Sequence, residues 1–197
     1  MKHILSLTLT LSLTLAAVGC HRPARCAPGE KSKLEVRNGS GALMIAWKTT
    51  GDLLCDGNLV QVGTLKATKD TVTLRDAAGR LKLELTRESP EVARGRDQEG
   101  PHLRLYRDVR ELRVLRADGV PLGSVAPQTT TGAIVYNPSS SPLARSSIRD
   151  RDAVITDLAG TAQTYVRPAK DATAAGVFGV PSLDPTEQLA LYIYSSR

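Results

Sequence analysis

One hairpin phrase recurs along this chain and constrains its fold more than any other feature. Alternating apolar residues lead into a short turn that ends in glycine, and alternating residues follow. These turns occupy 38–41, 76–79, 116–119 and 156–160, so their glycines lie 38, 40 and 41 residues apart. Alternation is typical of strands with one buried face. Since glycine tolerates positive φ and Asp or Asn bonds its own backbone, the phrase predicts tight β-hairpins.

Further strand candidates lie between the hairpins, at 59–65, 102–106 and 132–136. The sequence therefore predicts a mainly β domain over 33–197, with about ten to twelve antiparallel strands. Such a chain must close as a barrel or stack as a sandwich to protect its edges. We exclude a propeller, because four weak repeats without a Trp-Asp signature do not resemble blades.

Two polar stretches interrupt the alternation. Residues 86–101 carry seven charged side chains together with prolines and glycines, and they predict a mobile, solvated loop between two halves of the domain. Residues 137–147 are rich in serine and proline and predict a second irregular segment.

The C-terminal segment differs from the hairpins. Asp184, Pro185 and Glu187 have the spacing of a capped helix start, and six apolar or aromatic residues follow at 189–194. A short helix that is apolar all round must be surrounded by protein. We therefore predict a buried helix with Leu189, Leu191 and Ile193 in the core, while a last strand over 189–194 stays an alternative.

Hairpins that end in one buried apolar helix resemble the tubby-like superfamily, which includes the phospholipid scramblase and LURP-one-related proteins. The resemblance covers about residues 33–194 and rests on the phrases at 116–123 and 156–160 and on the tail at 183–191. It implies a twelve-stranded barrel around a hydrophobic C-terminal helix. We carry over no functional residue of that superfamily to this sequence.

The N-terminus has the pattern of an export signal. Residues 4–18 are uncharged and rich in Leu, Ser and Thr, which suits the apolar core of a signal peptide and is too short for a membrane-spanning helix. The run ends at Ala17, Val18, Gly19 and Cys20, which resembles the bacterial lipobox. We therefore expect a signal peptide over 1–19, acylation of Cys20, and a lipidated tether over 20–32. A plain signal peptide with a coincidental cysteine is the alternative.

Two cysteines remain once Cys20 carries lipid. An exported compartment is oxidising, so Cys26 and Cys55 are expected to form a disulfide, with two free thiols as the alternative. Two cysteines without a nearby histidine lack the ligands for zinc. We predict no metal site and no cofactor.

Catalytic motifs are scarce in the sequence. No HExxH, P-loop, GxGxxG or Gly-x-Ser-x-Gly motif occurs, and the acidic residues lie mostly in turns or beside basic residues. Outside the N-terminal segment, His102 is the only histidine. A hydrolase of cell-wall or lipid substrates would need His102 or buried acids, and it is the alternative to a non-enzymatic role.

The formal net charge is +6. Arg104, Arg107, Arg110 and Arg113 recur every third residue, which fits neither one face of a helix nor one face of a strand. A solvated surface explains them, and contact with anionic lipid is the functional reading. Nucleic acid is not an expected partner, because stacking aromatics are missing.

Together these features predict a lipoprotein of the bacterial envelope, held at the outer membrane by its N-terminal lipid. Its β-domain is expected to act as a non-enzymatic binding or scaffold module. The expected partner is an envelope protein or an anionic lipid.

Overall fold

A computed structural model describes residues 24–197. Fourteen strands alternate with short turns, and three short helical segments follow them. The strands are β1 Ser32–Asn38, β2 Leu43–Lys48, β3 Leu53–Asp56, β4 Gln61–Ala67, β5 Thr71–Asp76, β6 Leu81–Arg87, β7 Val92–Arg96, β8 Pro101–Arg107, β9 Leu112–Arg116, β10 Pro121–Thr129, β11 Gly132–Tyr136, β12 Pro142–Arg149, β13 Asp152–Asp157 and β14 Ala162–Arg167. The helical segments are α1 Ala172–Ala175, a 3-10 turn Gly176–Gly179 and α2 Pro185–Ser195.

The strands form one closed antiparallel barrel. Each strand pairs with its neighbours in sequence, and β14 pairs back with β1, where Val36 lies opposite Val166. Closure satisfies the backbone of every strand, so no edge is exposed. Of the two predicted architectures the barrel is confirmed and the sandwich is not, and the barrel has fourteen strands and not ten to twelve.

The prediction of a mobile loop over 86–101 is wrong. Strand β6 continues to Arg87, and β7 and β8 form a further hairpin within this stretch. The inward residues of β7 are Ala93 and Gly95, which give no apolar alternation in the sequence. Its outward residues Arg94 and Arg96 pair with Glu88 and Glu84, so the charges lie on a regular strand. The irregular segment predicted at 137–147 likewise contains the start of β12.

Seven hairpin turns lie at one end of the barrel, which we call the turn end. Six of them share two backbone hydrogen bonds. The N–H of the first turn residue donates to the carbonyl of the fifth residue, and the N–H of the fourth residue donates to the carbonyl of the first. Their first residues are Asn38, Asp56, Asp76, Arg116, Asn137 and Asp157. The fourth residue has positive φ in all six, as at Gly41 with 83°. The turn end is therefore built from one repeated, well-bonded structure.

Helix α2 fills the lumen of the barrel. Its N-cap Asp184 accepts hydrogen bonds from the N–H groups of Thr186 and Glu187, and the Glu187 carboxylate accepts the N–H of Asp184, which completes the predicted capping box. Leu189 and Leu191 are fully buried among the strand side chains, so the predicted buried helix is confirmed and the alternative strand is excluded.

The segment before β1 lies against the outer wall of the barrel. The Cys26–Cys55 disulfide is present, which confirms that prediction. The carbonyl of Ala24 accepts the N–H of Gln61 at 2.9 Å, and the N–H of Cys26 donates to the Leu59 carbonyl at 2.8 Å. Residues 24–26 are therefore fixed beside the start of β4. The predicted lipidation site Cys20 lies outside the described residues.

Candidate functional site

An open cavity of about 530 Å³ lies at the end of the barrel opposite the turn end, and we call it the basic cavity. It forms where the last turn of α2 approaches the starts and ends of several strands. Its floor is apolar and aromatic, formed by Leu34, Trp47, Ala67, Pro168, Tyr192 and Ile193. Its rim carries the cations Lys33, Lys69, Lys170 and Arg197. The volume is in the range of small-molecule sites, roughly 300–1,000 Å³.

The electrostatics of the basic cavity favour an anion. None of the described side chains that line it is a carboxylate. Lys33 is ion-paired with Asp52 at 2.5 Å, whereas the other three cations have no such partner among the described residues. Burial lowers the pKa of the Arg197 guanidinium, which donates to the carbonyl of Thr68 and not to a carboxylate. An anionic group bound in the basic cavity would therefore be attracted by the three cations that have no ion pair.

Aromatic side chains shape the floor of the basic cavity. The Lys33 ammonium lies 4.4 Å from the centre of the Trp47 ring, a cation–π contact. The Tyr192 hydroxyl donates to the Pro168 carbonyl at 3.3 Å, and burial raises the pKa of Tyr192. Trp47 is the single tryptophan of the chain, so its fluorescence reports directly on this cavity.

His102 lies at the turn end, between two carboxylates. Its Nδ1 is 3.2 Å from Asp97 and its Nε2 is 3.2 Å from Glu187. Ser182 lines the same cavity, but among the described residues no hydrogen bond joins it to His102. A general base must present a free ring nitrogen to the proton it takes. Here Nε2 is hydrogen-bonded to Glu187 on α2, which favours a structural link between β8 and α2.

The four arginines of the sequence prediction lie in three different settings. Arg104 and Arg113 face outward on β8 and β9, Arg110 lies in the exposed turn between them, and Arg107 pairs with Asp171 at 2.5 Å. Arg113 lies opposite Tyr106, which is two residues beyond Arg104 on β8. Arg104 and Arg113 are therefore diagonal neighbours on the outer face. Contact with an anionic surface stays a prediction for this pair.

The sequence prediction missed the residues of the basic cavity. They come from β1, β2, the turn after β4, the segment after β14 and the end of α2, so no local motif joins them. Only closure of β14 on β1 brings Lys33 and Lys170 to the same rim.

Comparisons with known proteins give one structural likeness. No known protein family matches the chain, and no curated protein matches it. The X-ray structure of a protein from Arabidopsis thaliana is 12% identical, and the match covers 68% of this chain and 90% of that one with a TM-score of 0.43.

Two features are absent from residues 24–197. Within that range no helix has the length and apolar character needed to cross a membrane. The same residues contain no group of three His, Cys, Asp or Glu side chains arranged to hold a metal ion.

Proposed function

We propose that the protein is a lipid-anchored envelope protein whose barrel is a non-enzymatic binding module. Its ligand site is the basic cavity, and its ligand is a small anionic amphiphile with an alkyl chain and a carboxylate or phosphate headgroup. The observation that carries this proposal is the combination of an apolar floor with a rim of four cations, three of which have no ion pair with a described side chain.

The two halves of such a ligand match two parts of the site. An alkyl chain would lie on Leu34, Trp47 and Ile193, and this contact would remove apolar surface from water. The headgroup would reach Lys69 and Lys170, which hold no competing ion pair among the described residues. A neutral amphiphile would gain the first contact only, so charge is expected to decide selectivity.

The test uses the mature protein in zwitterionic vesicles and the fluorescence of Trp47. Octanoate, octyl phosphate and octyl glucoside are added below their micelle concentrations, so carboxylate, phosphate and neutral headgroups are compared. We expect saturable changes with the two anions and none of comparable affinity with the glucoside. The stronger of the two anions identifies the preferred headgroup.

A double variant tests the rim. Lys69→Ser with Lys170→Ser is expected to weaken anion binding roughly tenfold, because each exposed charge contact contributes about 0.2–1 kcal/mol and 1.4 kcal/mol is a factor of ten. Lys31→Ser with Lys66→Ser removes the same charge outside the cavity and should leave binding unchanged. Equal losses in both double variants would contradict the proposed site.

A hydrolase that uses His102 is the second candidate, because a hydroxyl, an imidazole and four carboxylates line one cavity at the turn end. What supports binding over hydrolysis is that His102 Nε2 is hydrogen-bonded to Glu187, while no hydrogen bond among the described residues joins His102 to Ser182. The His102→Ala variant separates the two functions in a cellular complementation assay. A binding module should keep its phenotype in this variant, whereas a histidine-dependent enzyme should lose it.

The lipid anchor is tested separately from the ligand. The Cys20→Ser variant should escape globomycin-sensitive processing and should no longer fractionate with the outer membrane. If this variant still fractionates with membrane, the proposed anchor is wrong, whatever the cavity binds.

A further inference from the structure

We propose that a second binding site lies on the outer wall of the barrel, and that its ligand is a sugar acid, a compact molecule with one carboxylate and several hydroxyl groups. The site is a cleft of about 450 Å³ over β6, β7 and β8, which we call the arginine cleft. Three guanidinium groups line it, those of Arg94, Arg96 and Arg104. The inference goes beyond the basic cavity and depends neither on that cavity nor on the lipid anchor.

Strand pairing places two of these arginines directly opposite each other. Arg94 on β7 lies opposite Arg104 on β8, and Thr86 on β6 lies opposite Arg94. Each of the three follows a buried strand residue, so their side chains lie on the outer face. Like charges directly opposite on neighbouring strands are destabilising, and an anion bound between them would remove this cost.

Arg104 provides the free hydrogen-bond donors of the arginine cleft. Its side chain is half-buried, and its guanidinium group forms no hydrogen bond or ion pair with a described residue. A guanidinium group has five N–H donors in a planar fork, which matches the two oxygens of a carboxylate. This fork is therefore available to a carboxylate that enters the cleft.

The other two arginines are held in place by glutamates. Arg94 donates to Glu88 through Nε at 2.9 Å and through Nη2 at 2.7 Å. Arg96 donates to Glu84 through Nε at 2.8 Å, and its Nη2 lies 2.7 Å from the same carboxylate oxygen. Because each pair cancels one charge, only Arg104 contributes an unneutralised charge among these three cations. This balance favours a ligand with one negative charge over a multiply charged phosphate.

The remaining lining suits the carbon skeleton and the hydroxyl groups of a sugar acid. Pro101 and Ala117 provide apolar surface. The Thr86 hydroxyl and the second carboxylate oxygen of Glu84 form no hydrogen bond with a described residue. Since a hydroxyl can donate and accept and a carboxylate oxygen can accept, both groups can bind ligand hydroxyls.

The experiment measures binding of radiolabelled glucuronate to the mature protein in phosphatidylcholine vesicles by equilibrium dialysis, with protein-free vesicles as the blank. We expect saturable binding with which unlabelled glucuronate competes, whereas glucose and inorganic phosphate compete weakly. Arg104→Gln should weaken binding roughly tenfold or more, because it removes the charge-assisted hydrogen bonds to the carboxylate. Arg145→Gln removes another outward arginine without an ion pair among the described residues, on β12 outside the cleft, and should leave binding unchanged.

The absence of saturable glucuronate binding, or equal affinities of the two variants, would overturn the inference. Stronger competition by inorganic phosphate than by glucuronate would reject the sugar acid. Thermal denaturation checks the fold of Arg104→Gln, which should melt at or slightly above the temperature of the wild type because Arg94 then faces no like charge.

The variant with Lys69→Ser and Lys170→Ser separates the arginine cleft from the basic cavity. It should bind octyl phosphate weakly and glucuronate as the wild type does. Loss of glucuronate binding in this variant would place the sugar acid in the basic cavity and reject the arginine cleft. Normal glucuronate binding by a protein that binds no octyl phosphate would instead reject the ligand proposed for the basic cavity and support the arginine cleft.

Discussion

The helix inside the barrel makes a quantitative prediction about Leu191. This side chain is fully buried near the middle of α2, so Leu191→Ala removes its contacts with the strands and leaves a cavity that the barrel wall cannot fill. Buried Leu→Ala changes cost about 2–5 kcal/mol, and we expect about 3–4 here. For a chain of 150–250 residues each kcal/mol lowers the melting temperature by about 2–4 °C, so a fall of roughly 6–16 °C is expected.

Thermal denaturation followed by circular dichroism measures this fall. Val109→Ala, at a position 91% exposed, is the control and should shift the transition by no more than about 0.5 kcal/mol. A chain that ends at Leu183 lacks all of α2 and should show no cooperative transition. If that truncated chain melts at the temperature of the intact protein, the reasoning is refuted, because the lumen would then not need the helix.

Three further predictions concern single side chains. The Ser146 hydroxyl is buried without a hydrogen-bond partner, so Ser146→Ala should stabilise the fold by about 1 kcal/mol in urea denaturation, whereas Ser147→Ala should not. Ser140 has φ of 60° where four related turns have glycine, so Ser140→Gly should raise stability by up to about 1 kcal/mol in the same assay. Burial opposes ionisation of Asp184, but hydrogen bonds from Lys82, Thr186 and the Glu187 N–H hold its pKa below the usual range. Its charged form therefore stabilises the fold above the carboxyl's unfolded pKa, and this contribution is lost as the pH falls through the lower folded pKa. The melting temperature should fall more steeply below about pH 4 in the wild type than in Asp184→Asn.

The repeat visible in the sequence is twice the repeat of the structure. The first residues of the seven turns, from Asn38 and Asp56 to Asp157, are spaced by 18–21 residues, whereas the turn glycines are about 40 apart. The intervening hairpins were hidden because Leu59 and Ser140 take the positive φ that glycine takes elsewhere. Asp97 opens a turn with a different hydrogen-bond pattern. Local asparagine and aspartate residues were therefore a better guide to the turns than glycine.

The C-terminal helix and the disulfide could be predicted because each depends on few residues. The capping box needs only Asp184 and Glu187, and the disulfide needs two cysteines in one compartment. The basic cavity depends instead on barrel closure, which brings Lys33 next to residues more than 130 positions away in sequence. Sequence patterns describe neighbours along the chain, so they could not predict this site.

The strand count explains why the helix is apolar on every side. Side chains fill the lumen of a barrel of about eight strands, but a wider barrel leaves space inside. With fourteen strands, that space is occupied by α2 and by the 3-10 turn. Inward residues on the strands next to the 3-10 turn are correspondingly small: a Cβ on Gly179 would lie 3.0 Å from Val135 and 3.5 Å from Ala144. The weak alternation of these strands in the sequence therefore has a physical cause, since large side chains there would compete with the helical segments for the same volume.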